Sequence, residues 1–199
     1  MPASRRLVIA LTGASGAPYG VRLLQRLAEL GRPLDLVVSP SAAIVLREEV
    51  GPARWVEEGR ARAEDFGLEG ADLRIFDHRD VAAPIASGSA LRGGMVILPC
   101  SMGTVGRIAS GVSSNLIERA ADVCLKERRP LVLCPRETPL SLIHLRNLTA
   151  LAEAGATILP CAPGFYRRPE SIDALLDHVV GKVLDVLDIE HDVVKPWGD

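Results

Sequence analysis

An α/β fold built on an open, mostly parallel sheet is what this 199-residue sequence predicts. Short β-branched apolar runs alternate with longer amphipathic stretches, the pattern of successive βαβ units. The chain is 48% hydrophobic but only 4% aromatic, so Val, Leu, Ile and Ala must fill the core, as in sheets covered on both faces. Its length suits one well-buried domain, and no linker or low-complexity segment divides it, so residues 1–199 are read as a single unit.

The first strand is expected over Leu7–Thr12, followed by the turn GASGAPYG (Gly13–Gly20) and a helix over Pro18–Leu30. Proline suits a first helical turn because its missing N–H has no partner there. A second strand at Leu34–Ser39 leads into a helix at Ser41–Glu49, where serine is a natural cap. Charge and glycine dominate Gly51–Gly70, which reads as a solvated helix or excursion. Further strands are expected at Asp72–Phe76, Met95–Pro99, Pro130–Pro135 and Ala156–Pro160. Between and after them come an interrupted helical stretch from Gly103 to Glu127 and helices at Pro139–Ala154 and Pro169–Leu187.

With 23 basic and 25 acidic residues the net charge is -2, so no global field draws the chain to nucleic acid or an anionic membrane. No apolar run reaches the roughly 18 residues of a membrane span, and no secretory leader is evident, so a cytoplasmic protein is expected. Cys100, Cys124, Cys134 and Cys161 lie in apolar runs without C-x-x-C spacing, as small buried core residues do. His78, His144, His178 and His191 are equally scattered, so no metal is expected.

Ligands of open parallel sheets gather outside the carboxyl ends of the strands, so the residues that follow each strand form the candidate rim. GASGAPYG lacks both the G-x-G-x-x-G pattern and the lysine of a Walker loop. A helix from Pro18 would still aim backbone N–H groups at an anion, with the Ser15 hydroxyl beside them, although a plain strand-to-helix turn also explains the motif. CSMGT (Cys100–Thr104) repeats that logic with Ser101, Thr104 and Gly103; alternatively, Ser101 only caps the next helix. Arg128 and Arg129 suit a helix end, where cations complement the dipole. Arg119 and Lys126 are spaced two helical turns apart on one face. Arg136 and Glu137 directly follow a buried strand, where a charge needs a ligand or partner. PGFY (Pro163–Tyr166) follows the last strand, and Lys182 lies within the final helix; phenol and ammonium both suit a phosphate.

Together, TGASGAPYG, ASGS (Ala86–Ser89), PCSMGT, NLIERAADVCLKERRPLVLCPRE, IHLRNL and ILPCAPGFY closely resemble the flavin prenyltransferases of the UbiX type, from Leu7 to Trp197. The resemblance implies a Rossmann-like, three-layer αβα flavoprotein fold. It also implies an activity: joining a dimethylallyl group to N5 and C6 of reduced FMN, without a metal, to give prenylated FMN for UbiD-type decarboxylases. The implied donor is dimethylallyl phosphate or the diphosphate, and the implied assembly a large homo-oligomer, commonly a dodecamer.

Matched motif by motif, Gly13, Ala14, Ser15, Ser39, Ser101, Met102, Gly103, Thr104 and Arg136 would bind FMN. Tyr166 and Lys182 would bind the prenyl phosphate, and Glu49 and Trp197 match further positions near the family's site. Glu137, Lys126, Arg119 and Ser15 would serve the chemistry, some of them from a neighbouring subunit. Lys126, Arg136 and Lys182 would offset charge on the departing phosphate, and Glu137 would move a proton. Lys182 stands where some relatives carry arginine, replacing a bidentate fork with a point charge that would alter the donor preference. Two other readings use the same fold: a decarboxylase of carboxy-terminal cysteine peptides, and a noncatalytic FMN carrier. The first needs a histidine and an Asn-containing flavin loop not evident here; a carrier would need no second anion site.

Overall fold

A computed structural model describes residues 5–51, 61–89, 93–166 and 168–194. Its strands are β1 (Leu7–Leu11), β2 (Leu34–Val38), β3 (Leu73–Phe76), β4 (Met95–Cys100), β5 (Leu131–Pro135) and β6 (Thr157–Ile158). They form one sheet in the order β3-β2-β1-β4-β5-β6, with every pairing parallel. This is the doubly wound Rossmann order, in which the direction of strand addition reverses between β1 and β4. The helices are α1 (Ala17–Glu29), α2 (Pro40–Glu49), α3 (Met102–Ala109), α4 (Leu116–Lys126), α5 (Leu142–Glu153) and α6 (Ile172–Val186).

Strand alternation sorts the core into two layers. Leu7, Ile9 and Leu11 face α1, α2 and α6, where they meet Leu23, Leu27, Leu46 and Val183. Val8 and Ala10 face the opposite side with Val105, Ile117, Ala121 and Leu151 of α3, α4 and α5. The central strands β1, β4 and β5 are buried throughout, which is why they read as unbroken apolar runs. Cys100, Cys124 and Cys134 are buried, whereas Cys161 is partly exposed. Among the described residues, no helix is long and apolar enough to cross a membrane.

Several boundaries differ from expectation because side-chain caps choose the start. Ser39, rather than Ser41, caps α2; Ser141 and Ser171 delay α5 and α6 to Leu142 and Ile172. The stretch from Gly103 to Glu127 splits into α3 and α4, with Asn115 capping the second. The edge strand β6 pairs over only two residues rather than the five expected. Gly51–Gly70 contains a short 3-10 turn at Ala63–Phe66, and its residues 52–60 lie outside the described segments.

An ion cluster ties α6 to α1. Asp177 accepts from Nε and Nη2 of Arg22, each at 2.7 Å, and from Nη2 of Arg26 at 3.0 Å. Burial alone would push the Asp177 carboxyl up, but the two guanidiniums hold it below its ordinary 3.8. A carboxyl lowered by folding stabilises the native state above its unfolded value, and that contribution disappears as pH falls through the lower folded value. The difference in melting temperature between about pH 7 and about pH 3 should therefore be smaller in Asp177→Asn than in the parent, as followed by circular dichroism. Equal differences would show that the cluster does not contribute to acid lability.

Candidate active site

At the reversal point the chain leaves β1 and β4 toward opposite faces of the sheet, where this topology offers a crevice to ligands. Thr12 closes its floor. Its backbone N–H and hydroxyl both donate to the Pro99 carbonyl, at 3.2 and 2.9 Å, while its hydroxyl oxygen accepts from the Ser101 N–H at 2.7 Å. Thr12 is thus the buried strut between the two glycine-and-hydroxyl loops. As a β-branched residue ending an apolar run, it reads in sequence only as the end of a strand.

The loop after β1 is shaped by two glycines. A Cβ on Gly13 would lie 2.5 Å from both Cβ and Oγ of Ser41, so only glycine lets the loop approach the start of α2 this closely. Gly16 has φ 109°, in the left-handed region, and precedes α1 without a side-chain cap of its own. Here the structure corrects an expectation, because the first amides of α1 do not point at open space. The Glu49 carboxylate accepts from the N–H groups of Gly16 and Ala17, both at 2.8 Å. An anion suits this helix N-terminus, and the last turn of α2 supplies it. Ser15 is exposed, and its amide and hydroxyl donate to no other group among the described residues.

Across the crevice, Ser101 does cap α3: its hydroxyl accepts from the Thr104 N–H at 3.3 Å and lies 3.0 Å from the Thr104 hydroxyl. Met102 is buried, whereas a Cβ on Gly103 would meet only Nη1 of Arg107 at 3.4 Å. Sequence reasoning missed what stands behind this turn. Arg107 donates through Nη2 to the Thr104 hydroxyl at 3.3 Å and through Nε, in a short bond, to the fully buried carboxylate of Glu118. Ser114 donates to Glu118 from its N–H at 2.8 Å and its hydroxyl at 2.6 Å. Burial would raise the Glu118 carboxyl, but these donors together lower it, so it remains an anion. The two charges are eleven positions apart on different helices, so spacing gives no signal of the pair.

Arg136 joins the two halves. Its N–H donates to the Cys100 carbonyl at 3.4 Å, and its Nε donates to the Ser15 carbonyl at 3.0 Å. The end of β2 adds Ser39, whose N–H donates to the Leu11 carbonyl at 3.0 Å and whose hydroxyl accepts from the Ala42 N–H at 3.1 Å. Ser15, Ser101, Thr104, Arg136 and the glycines of both loops therefore lie at one end of the sheet, linked through Thr12 and Arg136. Glu137 is exposed beside them and accepts from the Thr138 N–H at 3.0 Å.

Lys126 is not brought to this crevice by its own chain. Helix α4 runs back from the carboxyl ends of the strands, so Lys126 lies near the start of β5, paired with Glu127 at 2.6 Å. Arg119 pairs with Asp122 at 2.8 Å on the same helix. Tyr166 packs edge-on against His178 with ring centroids 5.6 Å apart. Lys182 follows one turn later on α6, bonded to Asp185 at 2.8 Å. Trp197 lies outside the described residues.

A protein-family model described as Flavoprotein matches residues 1–197. The flavin prenyltransferase UbiX of Pseudomonas aeruginosa is 46% identical over 202 residues, covering 100% of this chain and 97% of the relative. This chain belongs to the flavin prenyltransferase family. Among solved members of similar fold, the crystal structure of AnUbiX (PadA1) in complex with FMN and dimethylallyl pyrophosphate superposes with a TM-score of 0.88 at 42% identity, covering 98% of each chain. The dodecameric FMN-dependent UbiX-like decarboxylase of Escherichia coli O157:H7 superposes with a TM-score of 0.86, also at 42% identity, covering 98% of this chain and 100% of the other.

The donor set suits the flavin phosphate that a member of the flavin prenyltransferase family would hold. The Ser15 amide and hydroxyl are unused, and the terminal nitrogens of Arg136 make no hydrogen bond among the described residues. The nearby Glu49 carboxylate is taken up by the α1 amides, which draws its charge toward the helix.

Proposed function

We propose that this chain is a flavin prenyltransferase that joins a dimethylallyl group from dimethylallyl phosphate to N5 and C6 of reduced FMN, and that the prenylated FMN serves a UbiD-type decarboxylase. The observation that carries this reading is full-length similarity to the Pseudomonas aeruginosa UbiX, supported by a fold in which Arg136 holds the glycine-rich loop after β1 at the switch point. Gly13, Ala14, Ser15, Ser39, Ser101, Met102, Gly103, Thr104 and Arg136 hold the flavin. Tyr166 and Lys182 hold the donor phosphate, with Glu49 and Trp197 nearby. Reduced FMN, as substrate, supplies the electron-rich N5 and C6. The protein aligns the donor and stabilises the departing phosphate with Arg136 and Lys182, while exposed Glu137 accepts a proton.

Lys126 completes this pocket from a neighbouring subunit, since its own chain carries it away from the crevice, and Arg119, two turns earlier on the same face of α4, accompanies it. A cytoplasmic homo-oligomer, a dodecamer in our reading, accounts for this. It also accounts for the apolar segment at the start of α5, where Leu140, Leu142, Ile143 and Leu145 are 41%, 61%, 68% and 47% exposed. The dodecameric relative from Escherichia coli O157:H7 supports the same assembly.

The decisive experiment mixes protein, FMN, a reductant and dimethylallyl phosphate without oxygen, then weighs the released flavin by mass spectrometry. A flavin carrying the added C5H8 unit is expected. An unchanged flavin mass with both the mono- and the diphosphate donor would remove the assignment.

A further inference from the structure

Lys182 does not stand alone at the surface of α6. Its ammonium donates to Oδ2 of Asp185 at 2.8 Å, one turn along the helix. The other carboxylate oxygen, Oδ1, lies 3.1 Å from Nε2 of His191. Because the Val193 N–H donates to Nδ1 of His191 at 3.2 Å, that nitrogen is the acceptor and Nε2 carries the proton that Asp185 receives. The His191 side chain is only 6% exposed and packs where α6 has Gly181, 3.5 Å from the position a Cβ would take there. Asp185 is thus held by a buried ring and cannot swing away from Lys182 without losing that bond. The group has one positive charge, one negative charge and a neutral imidazole, so its net charge is zero.

A carboxylate fixed against the donor-phosphate ligand acts most strongly on the most highly charged donor. The diphosphate brings about one more negative charge than the monophosphate, and that charge is the one Asp185 repels. An arginine in place of Lys182 would offer a fork with one edge for the carboxylate and another for the ligand; a lysine must share a single point charge. Tyr166, which the proposed function also assigns to the donor phosphate, packs against His178 one turn earlier on α6.

We infer that Asp185, pinned by His191 and bonded to Lys182, is a specificity-determining residue that biases this enzyme toward dimethylallyl monophosphate over the diphosphate. The inference rests on Lys182 contacting the donor phosphate, as proposed above. Asp185 touches neither substrate in this account and acts through the charge of Lys182.

The test compares steady-state anaerobic prenylation of reduced FMN with each donor. In Asp185→Asn, the ratio of kcat/KM for the diphosphate to that for the monophosphate should rise about tenfold, chiefly through a lower KM for the diphosphate. Asp185→Glu, which retains the charge, should keep the parent ratio, and FMN affinity should be the same in all three proteins. Lys182→Met separates this inference from the reading beneath it. If Lys182→Met raises KM for both donors while Asp185→Asn leaves their ratio unchanged, Lys182 remains the donor ligand and the inference about Asp185 is overturned. If Lys182→Met leaves both KM values unchanged, the donor assignment itself fails.

Discussion

Replacing Arg136 with methionine should weaken FMN binding about 100-fold, equivalent to about 3 kcal/mol, while leaving the melting temperature of the protein nearly unchanged. The guanidinium does two things at the crevice. Its Nε holds the Ser15 carbonyl at 3.0 Å, which fixes the loop after β1 against the end of β5. Its terminal nitrogens are left for an anion, and charge-assisted bonds of this kind contribute about 1.5–3 kcal/mol each. Methionine preserves much of the stem packing against Gly16, from whose Cβ position the Arg136 Cγ is 3.7 Å, so the loss should be confined to binding. Arg136→Lys should fall between, because a point charge cannot serve Ser15 and a phosphate together. Calorimetric titration with FMN checks both values, and affinities within a few-fold of the parent would remove Arg136 from the flavin site.

The second large effect concerns stability. Arg107→Met removes the cation from the Glu118 carboxylate and leaves it the neutral Ser114 N–H and hydroxyl, so its buried negative charge is no longer balanced. Breaking a buried pair from one side costs several kcal/mol. Because the Arg107 side chain is 48% exposed, a value near the lower end, about 3 kcal/mol, is expected. For a chain of this length that lowers the melting temperature by about 6–12 °C. The double variant Arg107→Met, Glu118→Met should recover much of the loss, since no unpaired charge is then left in the core. Arg107 also bonds the Thr104 hydroxyl, so the single variant should lose FMN affinity as well. Thermal denaturation of the three proteins provides the cycle, and equal midpoints in the single variant and the parent would show that the pair adds nothing.

These two residues differ in how visible they are in sequence. Arg136 is conspicuous because it follows an apolar strand at the carboxyl rim, where an ionic side chain has no structural excuse. Arg107 and Glu118 look like ordinary solvated helix residues, and nothing in their spacing distinguishes them from Arg128 or Arg129. The same contrast separates Ser15 from Thr12. A serine between glycines signals a loop open to a ligand, whereas a threonine closing a strand signals only β-structure, although it ties the two loops together.

Local composition was enough for the six strands, the capped helices and the rim of hydroxyls, glycines and Arg136. Strands buried on both faces must be apolar and β-branched, and a turn that approaches another backbone closely must contain glycine. Those requirements act on neighbouring residues and so leave a pattern along the chain. Glu49 closing the N-terminus of α1, Glu118 held by Arg107, and Asp185 pinned by His191 were decided by tertiary structure. Charge pairing depends on the distance between side-chain tips, and that distance is set by how helices pack on a finished sheet. The separation of Lys126 from the crevice has the same origin: α4 runs antiparallel to the strands, so a residue adjacent to the site in the family's motif order ends up at the opposite end of its own chain's sheet.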